Sequence, residues 1–181
     1  MRIAIIGSGG REHAICKKIN ESSKLEKIFC IPGNGGTEKI AENVNIDIKN
    51  FEKLKFFLIK NKVDFTIVGP EEPLVNGIVD YLRKDKLKVF GPDKYCSQLE
   101  GSKIFTKKIC QIEKIPTADF DIFKDIDSTL NYLKNKNYPL VVKADGLAAG
   151  KGVYICDNFL DAKKAAIEIF GGKFGKAKEI L

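Results

Sequence analysis

The sequence contains few of the side chains that commonly hold metal ions. Its 181 residues include a single histidine, His13, and five cysteines, none of which forms a C-x-x-C pair. An odd number of cysteines in apolar or helical contexts indicates reduced thiols, and it argues against a zinc site or a disulfide framework. One histidine also gives no basis for a histidine-rich metal centre. We therefore expect a cytoplasmic chain with no metal site among these residues.

Long apolar runs are also missing. No segment approaches the roughly 18 apolar residues that a membrane-spanning helix requires. The N-terminus enters the apolar run RIAII at once, without the basic lead or the small-residue cleavage site of an export signal. We expect a protein that is neither exported nor bound to a membrane.

The positive charge is not concentrated in one block. The formal net charge is +7, but residues 1–101 contain 17 basic and 14 acidic residues, and residues 102–181 contain 14 and 10. Proteins that bind nucleic acids commonly gather their basic residues in one patch or tail. The even distribution therefore argues against a nucleic-acid partner and leaves phosphorylated small molecules as candidate ligands.

The first hundred residues alternate strand-like runs with helical patterns. The runs are RIAII, KIFCI, NVNID, DFTIVG and KVFGP, and helical patterns follow the first, third and fourth of them. This alternation predicts a parallel sheet covered by helices on both faces. From residue 102 the pattern changes to one helix, then the runs DFDIF, PLVVKA and GVYIC with two further helices. We therefore predict an α/β protein, with a parallel-sheet domain at residues 1–101, a linking helix at 102–116 and an α+β subdomain at 117–181.

Glycine-rich loops follow two of the predicted strands. IIGSGGREH places glycines and Arg11 between a strand and a helix, where backbone N–H groups and the helix dipole favour an anion. PGNGGT (residues 32–37) and GPEEPL (residues 69–74) follow strands at the same edge, where ligands of open α/β sheets bind. Glu12 stands where a dinucleotide fingerprint requires a small residue, so NAD is not expected. Turns with positive φ also explain the glycines, and solvent exposure also explains Arg11.

A different loop joins PLVVKA to GVYIC. KADGLAAGKGV (residues 143–153) does not have the G-x-x-x-x-G-K-[ST] spacing of a P-loop. It predicts a hairpin lid whose amides fold over a triphosphate, with Lys143 as a fixed charge on the incoming strand. A mobile, solvent-facing hairpin is the alternative. Lys103 begins a predicted helix, where a lysine is electrostatically unfavourable unless it binds something.

Six segments together resemble one known family. IIGSGGREHAI, PGNGGT, TIVGPEEPLVNGIVDYL, VFGP, QLEGSK and VVKADGLAAGKGV follow one another in the order and spacing of the glycinamide ribonucleotide synthetases, or phosphoribosylamine-glycine ligases. The resemblance spans essentially all 181 residues. It implies a Rossmann-like pre-ATP-grasp domain followed by an incomplete ATP-grasp domain.

The resemblance implies an ADP-forming carbon-nitrogen ligase of purine biosynthesis. Such enzymes use ATP and Mg²⁺ or Mn²⁺ to join glycine to 5-phosphoribosylamine through glycyl phosphate, and they release glycinamide ribonucleotide, ADP and phosphate. The partners are then small molecules only, without nucleic acid or membrane, and we expect a monomer.

The resemblance also implies two sets of ligand contacts, without an evident catalytic side chain. ATP would contact Lys103, Lys143, Asp145, Gly146, Leu147, Ala148, Ala149, Gly150, Lys151 and Gly152. Phosphoribosylamine would contact Gly9, Gly10, Arg11, Glu12, Gly33, Asn34, Gly35, Gly36 and Thr37.

One departure from the family pattern limits what these residues can do. The acidic and Asn metal ligands of the family and its segment R-[LF]-G-D-P-E have no counterpart in the sequence. We therefore expect the metal ligands beyond residue 181 and no catalysis by the 181 residues alone. Two alternatives stay open, another carboxylate-activating ATP-grasp ligase of the carboxylase type and a non-catalytic module that binds a phosphosugar or a nucleotide.

Overall fold

The chain forms two compact units, Met1–Ser97 and Gln98–Leu181. The structure is a computed structural model and describes residues 1–148, 151–174 and 179–181. No helix within these ranges is long and apolar enough to cross a membrane. The three-part division into residues 1–101, 102–116 and 117–181 stays a prediction.

A five-stranded parallel sheet lies at the centre of the first unit. Its strands have the order β3-β2-β1-β4-β5, and all neighbours run parallel. The predicted parallel α/β sheet is therefore confirmed. The strands are β1 (Arg2–Gly7), β2 (Lys27–Pro32), β3 (Glu42–Asn43), β4 (Phe65–Val68) and β5 (Val89–Phe90), and the helices are α1 (Gly10–Asn20), α2 (Phe51–Lys60), α3 (Glu71–Val75) and α4 (Ile78–Arg83).

Both faces of this sheet are covered by apolar side chains. Ile6 on β1 packs with Phe29 in the larger core cluster, whereas the neighbouring Ile5 packs with Cys16 and Cys30 in a second cluster. Successive side chains of a strand point to opposite faces, so a strand that is buried on both sides requires apolar residues at consecutive positions. This explains why RIAII is continuously apolar.

Two predicted elements of the first unit differ in the structure. The predicted helix VNGIVDYLRKD (residues 75–85) is interrupted, because Gly77 has a φ of 87°, a left-handed conformation that ends α3 before α4 begins. The predicted strand NVNID (residues 43–47) contributes only Asn43 to β3. The chain leaves the sheet after Val44, since the Ile46 N–H donates to the Val44 carbonyl in a tight turn.

The second unit combines an antiparallel hairpin with helices. β6 (Leu140–Lys143) pairs with β7 (Val153–Cys156), and apolar residues of α7 (Ile126–Leu133) and α8 (Phe159–Phe170) form one core with it. The unit begins with α5 (Gln98–Gly101) and α6 (Lys103–Ile112). Ile180 forms bridges with both Phe123 and Ala144. The predicted strand DFDIF (residues 119–123) is wrong for residues 119–122, which are not part of a strand, and Phe123 forms only an isolated bridge.

Candidate functional site

Three loops meet at the carboxyl edge of the sheet in the first unit. The first loop (residues 7–10) follows β1, the second loop (residues 32–37) follows β2, and the third loop (residues 69–72) follows β4. β1 lies between β2 and β4, so the three loops are neighbours. The Gly33 N–H donates to the Gly7 carbonyl at 3.1 Å, which joins the second loop to the first.

The side chain of Asn34 holds the first two loops together. Its Nδ2 donates to the carbonyl oxygens of Ser8 at 2.9 Å and Gly9 at 3.3 Å. Its Oδ1 accepts from the N–H groups of Gly36 at 2.7 Å and Thr37 at 3.0 Å. A carboxamide has two N–H donors and one oxygen with two acceptor sites. All four positions are used, so this side chain has no hydrogen-bonding capacity left for a ligand.

Thr37 and Asn43 hold the backbone of Asn34 in place through hydrogen bonds. Thr37 is fully buried, and its hydroxyl accepts from the Asn34 N–H at 2.8 Å and donates to Asn43 Oδ1 at 2.7 Å. Asn43 Nδ2 then donates to the Asn34 carbonyl at 2.8 Å. Asn43 was not among the residues predicted from the sequence, because nothing in a two-residue strand indicates a hydrogen-bond partner nine residues earlier.

Glu12 is buried beneath the first and third loops. The residue is 3% exposed, and its Oε2 accepts from the Gly9 N–H at 2.6 Å. A Cβ on Gly69 would lie 2.0 Å from Glu12 Oε1, and one on Gly7 would lie 2.6 Å from the Glu12 carboxyl carbon. No described residue forms a hydrogen bond with Oε1. The carboxylate therefore packs inside the loops and not at the ligand surface that was predicted for Glu12.

Arg11 lies on the surface of the same edge and pairs with Glu71. Its Nη1 donates to Glu71 Oε1 at 2.8 Å, and the Arg11 side chain is 66% exposed. This hydrogen bond, followed by one from the backbone N–H of Glu71 itself, holds the pKa of Glu71 below its usual value. The ion pair joins the start of α1 to the third loop and leaves the guanidinium accessible from solvent.

The glycines of the first two loops fall into two groups. A Cβ on Gly33 would meet Asn43 at 2.1 Å, and one on Gly36 would meet the ring of His13 at 2.8 Å. A Cβ on Gly10 or Gly35 would meet no atom within 4 Å. Gly33 and Gly36 are therefore required by packing, whereas Gly10 and Gly35 border open space at the loop surface.

In the second unit, the outward face of the β6–β7 hairpin combines apolar side chains with one cation. Val141 pairs with Ile155, and Lys143 pairs with Val153. Residues that are directly paired across antiparallel strands point to the same face. Val141, Ile155 and Val153 are 43%, 77% and 44% exposed. None of the residues that the structure describes forms a hydrogen bond or ion pair with the Lys143 ammonium.

The hairpin loop (residues 145–152) begins against the start of α6. The Ser102 hydroxyl donates to the Asp145 carboxylate at 3.0 Å, and the Ile104 N–H donates to Asp145 Oδ1 at 3.1 Å. Lys103 Nζ donates to the Gly146 carbonyl at 2.9 Å. The structure thus brings together Lys103, Asp145 and Gly146 from the predicted ATP contacts and adds Ser102.

Two backbone hydrogen bonds join described residues of the hairpin. The Lys151 N–H donates to the Ala148 carbonyl at 2.8 Å, and the Ala144 N–H donates to the Gly152 carbonyl at 2.8 Å. A Cβ on Gly152 would lie 2.6 Å from that of Ala148, so a larger residue would not fit there. Leu147 is 40% exposed. Ala149 and Gly150, also predicted as ATP contacts, lie outside the described residues.

The described part of the chain contains no cluster of side chains that could bind a metal ion. No group of three or more His, Cys, Asp or Glu side chains within residues 1–148, 151–174 and 179–181 could hold one. The structure therefore assigns no metal ligand to these residues.

Two family descriptions match the chain one after the other. Residues 1–100 match "Phosphoribosylglycinamide synthetase, N domain", and residues 101–181 match "Phosphoribosylglycinamide synthetase, ATP-grasp (A) domain". Together they cover all 181 residues, with the change between them close to the start of the second unit.

Individual proteins similar to this chain carry related names. A phosphoribosylamine-glycine ligase of Caldanaerobacter subterraneus is 51% identical over 164 residues, which are 91% of this chain and 39% of that protein. The phosphoribosylamine-glycine ligase structure from Thermotoga maritima has a TM-score of 0.78 and 30% identity, covering 99% of this chain and 42% of that one. The biotin carboxylase domain of Hydrogenobacter thermophilus 2-oxoglutarate carboxylase has a TM-score of 0.72 at 19% identity, over 99% and 43%, which shows the fold alone. The chain spans about two fifths of the length of the curated relatives it matches.

Proposed function

This chain belongs to the phosphoribosylglycinamide synthetase family, and from that premise we propose that it forms part of a ligase that joins glycine to 5-phosphoribosylamine. ATP drives the reaction, and the products are glycinamide ribonucleotide, ADP and phosphate. The observation that carries the proposal is the surface of the second unit that combines the Lys143 ammonium with an exposed apolar strip beside the hairpin loop.

The hairpin face suits a nucleotide. Val141, Val153 and Ile155 offer an apolar surface to a flat purine ring, and the Lys143 ammonium offers a positive charge to the phosphates. The Lys143 ammonium has no hydrogen-bond or ion-pair partner among the described residues. Such an ammonium is a favourable site for an anion, because no ion pair with those residues must be broken first. We assign adenine to the apolar strip and a phosphate group to Lys143.

The hairpin loop supplies the other nucleotide contacts in this proposal. Backbone N–H groups of the small residues Gly146, Ala148 and Gly152 can approach a phosphate closely, because these residues carry no large side chain. Lys103 lies at the base of the loop through its contact with the Gly146 carbonyl. Its ammonium has three N–H donors, so it can keep this contact and still bind a phosphate oxygen.

The loops of the first unit form the proposed phosphoribosylamine site. Gly10 and Gly35 border open space, and the exposed guanidinium of Arg11 stands at the same edge. Backbone amides with a guanidinium suit the 5-phosphate of the substrate. We assign phosphate contacts to Gly10, Arg11 and Gly35. The N–H groups of Gly9 and Gly36 already donate to Glu12 and Asn34, so we assign a supporting role to Gly9, Glu12, Gly33, Asn34, Gly36 and Thr37.

The proposed chemistry requires positioned charges more than a side-chain nucleophile. A carboxylate oxygen of glycine attacks the γ-phosphorus of ATP, the bond between that phosphorus and the bridging oxygen breaks, and ADP leaves. The amine of phosphoribosylamine then attacks the carbonyl carbon of glycyl phosphate, and phosphate leaves with the oxygen that came from glycine. Glycyl phosphate reacts readily with water, which gives the hairpin loop a protective role.

Family membership also implies a divalent ion beside ATP. The described residues include no acidic cluster that fits such an ion, so we place no metal ligand among them and derive no step through the ion. Magnesium and manganese are both consistent with this proposal.

We further propose a cytoplasmic monomer whose partners are small molecules. Reduced cysteines support the location, since all five are free and three of them are buried. The absence of a basic block supports small-molecule partners over nucleic acid. Light scattering on the full-length protein measures the oligomeric state directly.

An assay of the full-length protein tests the proposed reaction. With ATP, magnesium, glycine and freshly made phosphoribosylamine, we expect ADP and phosphate in equal amounts, and omission of glycine or of phosphoribosylamine should prevent product formation. Bicarbonate in place of glycine distinguishes the carboxylase-type alternative. Phosphate release that does not rise above the glycine-free control would eliminate the proposal.

A further inference from the structure

The start of α6 is fixed to the base of the hairpin loop by one carboxylate. Ser102 is the N-cap residue of α6, and its hydroxyl accepts from the Phe105 N–H at 3.0 Å while it donates to Asp145. The Ile104 N–H donates to the same carboxylate at 3.1 Å. Asp145 therefore places a negative charge at the positive end of the helix dipole.

The backbone of Asp145 and Gly146, at the base of the hairpin loop, is also fixed. The Asp145 N–H donates to the Glu179 carbonyl at 3.1 Å, which holds Asp145 at the sheet. Gly146 follows with a φ of 98°, so the chain turns away from the strand at this residue. Its carbonyl accepts from Lys103 Nζ at 2.9 Å. The Lys103 ammonium is thereby held at the point where the loop begins.

We propose that Asp145 and Ser102 are positioning residues of the nucleotide site, which fix Lys103 and the base of the hairpin loop relative to each other. This inference rests on the proposed ATP site in the second unit. A carboxylate would repel a triphosphate, and the oxygens of Asp145 already accept from Ser102 and Ile104. The same carboxylate occupies the N-terminus of α6, so phosphate binding there depends on the Lys103 side chain.

The inference explains why a lysine begins α6. A cation at this position is unfavourable on its own because it lies at the positive end of the helix. The Asp145 charge offsets that cost, and the Gly146 carbonyl directs the ammonium towards the loop. Lys103 then has two remaining N–H donors for a ligand.

Asp145→Asn in the full-length protein tests the inference, with Asp125→Asn as its matched control. Asp125 is the N-cap residue of α7, where its Oδ1 accepts from the Ser128 N–H at 2.8 Å and its Oδ2 accepts from the Ser128 hydroxyl at 2.7 Å. Both substitutions remove one charge from a helix N-terminus in the same unit. We expect similar losses in Tm, but only Asp145→Asn should raise the Kd of a non-hydrolysable ATP analogue, by about tenfold.

Ser102 provides a milder pair of variants if Asp145→Asn does not fold. Ser102→Ala removes the hydroxyl that links the helix to Asp145, whereas Ser102→Thr retains a hydroxyl and a good N-cap residue. We expect weaker nucleotide binding for Ser102→Ala and recovery for Ser102→Thr. An unchanged Kd in Ser102→Ala would overturn the inference.

Hydrogen exchange at the Ile104 N–H measures the contact between α6 and Asp145 in the absence of nucleotide. This exchange should accelerate in Asp145→Asn and stay unchanged in Asp125→Asn. If the wild-type protein binds the analogue and Asp145→Asn binds it as Asp125→Asn does, the inference is wrong and the proposed function stands. If the wild-type protein binds no nucleotide at saturating analogue, both the proposed function and the inference are overturned.

Discussion

At the scale of single residues, two glycines of the sheet edge lack a side chain for different physical reasons. A Cβ on Gly69 would lie 2.0 Å from Glu12 Oε1, whereas a Cβ on Gly35 would meet no atom within 4 Å. The packing of the protein itself therefore requires Gly69. Gly35 leaves open surface beside the loop amides, where we have proposed that phosphoribosylamine binds.

Alanine substitutions separate these two reasons. We predict that Gly69→Ala lowers the free energy of unfolding by about 1–3 kcal/mol, because the buried Glu12 side chain has little room to move aside. Gly35→Ala should change that free energy by less than about 0.5 kcal/mol, yet raise the KM for phosphoribosylamine. Chemical denaturation and steady-state kinetics measure the two effects. Equal stability of the two variants would contradict the packing argument for Gly69.

Lys143 is the residue on which the proposed nucleotide site depends most directly. We predict that Lys143→Ala weakens nucleotide binding by about 1–3 kcal/mol, since one charge-assisted hydrogen bond to phosphate is lost. Lys163→Ala is the matched control, because Lys163 is an exposed lysine of α8 in the same unit. Calorimetric titration with ATP measures both. The assignment fails if the two variants bind ATP with the same affinity.

The sequence identifies some site residues but not how their side chains are used. The glycine-rich pattern around Arg11 indicates an anion site, and the resemblance adds Asn34 to the ligand contacts. The partners of Asn34 are Ser8 and Gly9, 26 and 25 residues earlier in the chain. Only the pairing of β1 with β2 brings these carbonyls to Asn34. The internal use of its side chain therefore could not be predicted from local pattern.

At the scale of secondary-structure elements, three helices are followed, two or three residues after their last helical residue, by a lysine with left-handed backbone. Lys62, Lys86 and Lys114 have φ values of 51°, 59° and 54°. After α6, the Ile115 N–H donates to the Cys110 carbonyl at 2.8 Å, which is the closing hydrogen bond of a Schellman motif. Glycine commonly occupies this position, because a Cβ is unfavourable there.

Substitution by glycine should therefore change the stability of the protein in opposite directions at Lys114, after α6, and at Lys108, within α6. Lys114→Gly is expected to raise the free energy of unfolding by about 0.5–1 kcal/mol, because it relieves the left-handed conformation. Lys108→Gly, within α6, is expected to lower it by about 1 kcal/mol through loss of helix propensity. Thermal or chemical unfolding of the two variants measures both changes. Changes of the same sign in the two variants would show that the left-handed conformation of Lys114 is not strained.

The strands were predictable where apolar residues form a continuous run. RIAII and KIFCI became the two long central strands because their apolar residues cover both faces of the sheet. The interruption at Gly77 was not predicted, because apolar spacing continues through residues 75–85 while the backbone turns at the glycine. Polar and apolar residues also alternate through residues 119–123, as they do in a strand. Phe123 is nevertheless the only one of these residues that forms a bridge with a described residue.

At the scale of the whole molecule, the resemblance drawn from six motifs is confirmed by family matches over residues 1–100 and 101–181. The parallel sheet and the antiparallel hairpin that the sequence predicted are both present. The order of several short motifs was sufficient to identify the family, because each motif constrains backbone approach or charge at a different loop.

The 164 residues that match the Caldanaerobacter relative cover 39% of its length. We predict that this chain alone binds ATP weakly and forms no ADP in response to glycine, because its described residues include no acidic cluster for a divalent ion. Calorimetry and a coupled ADP assay test the two statements. Glycine-dependent ADP formation by the chain alone would contradict the prediction.

The measurement that tests the proposed reaction most directly follows oxygen from glycine into phosphate. The full-length protein is supplied with ATP, magnesium, phosphoribosylamine and glycine that carries ¹⁸O in both carboxylate positions. Attack by that carboxylate on the γ-phosphorus predicts one ¹⁸O atom in each phosphate released and the other in the amide carbonyl of the product. Phosphate released without ¹⁸O, in amounts equal to the ADP formed, would contradict activation of glycine as glycyl phosphate.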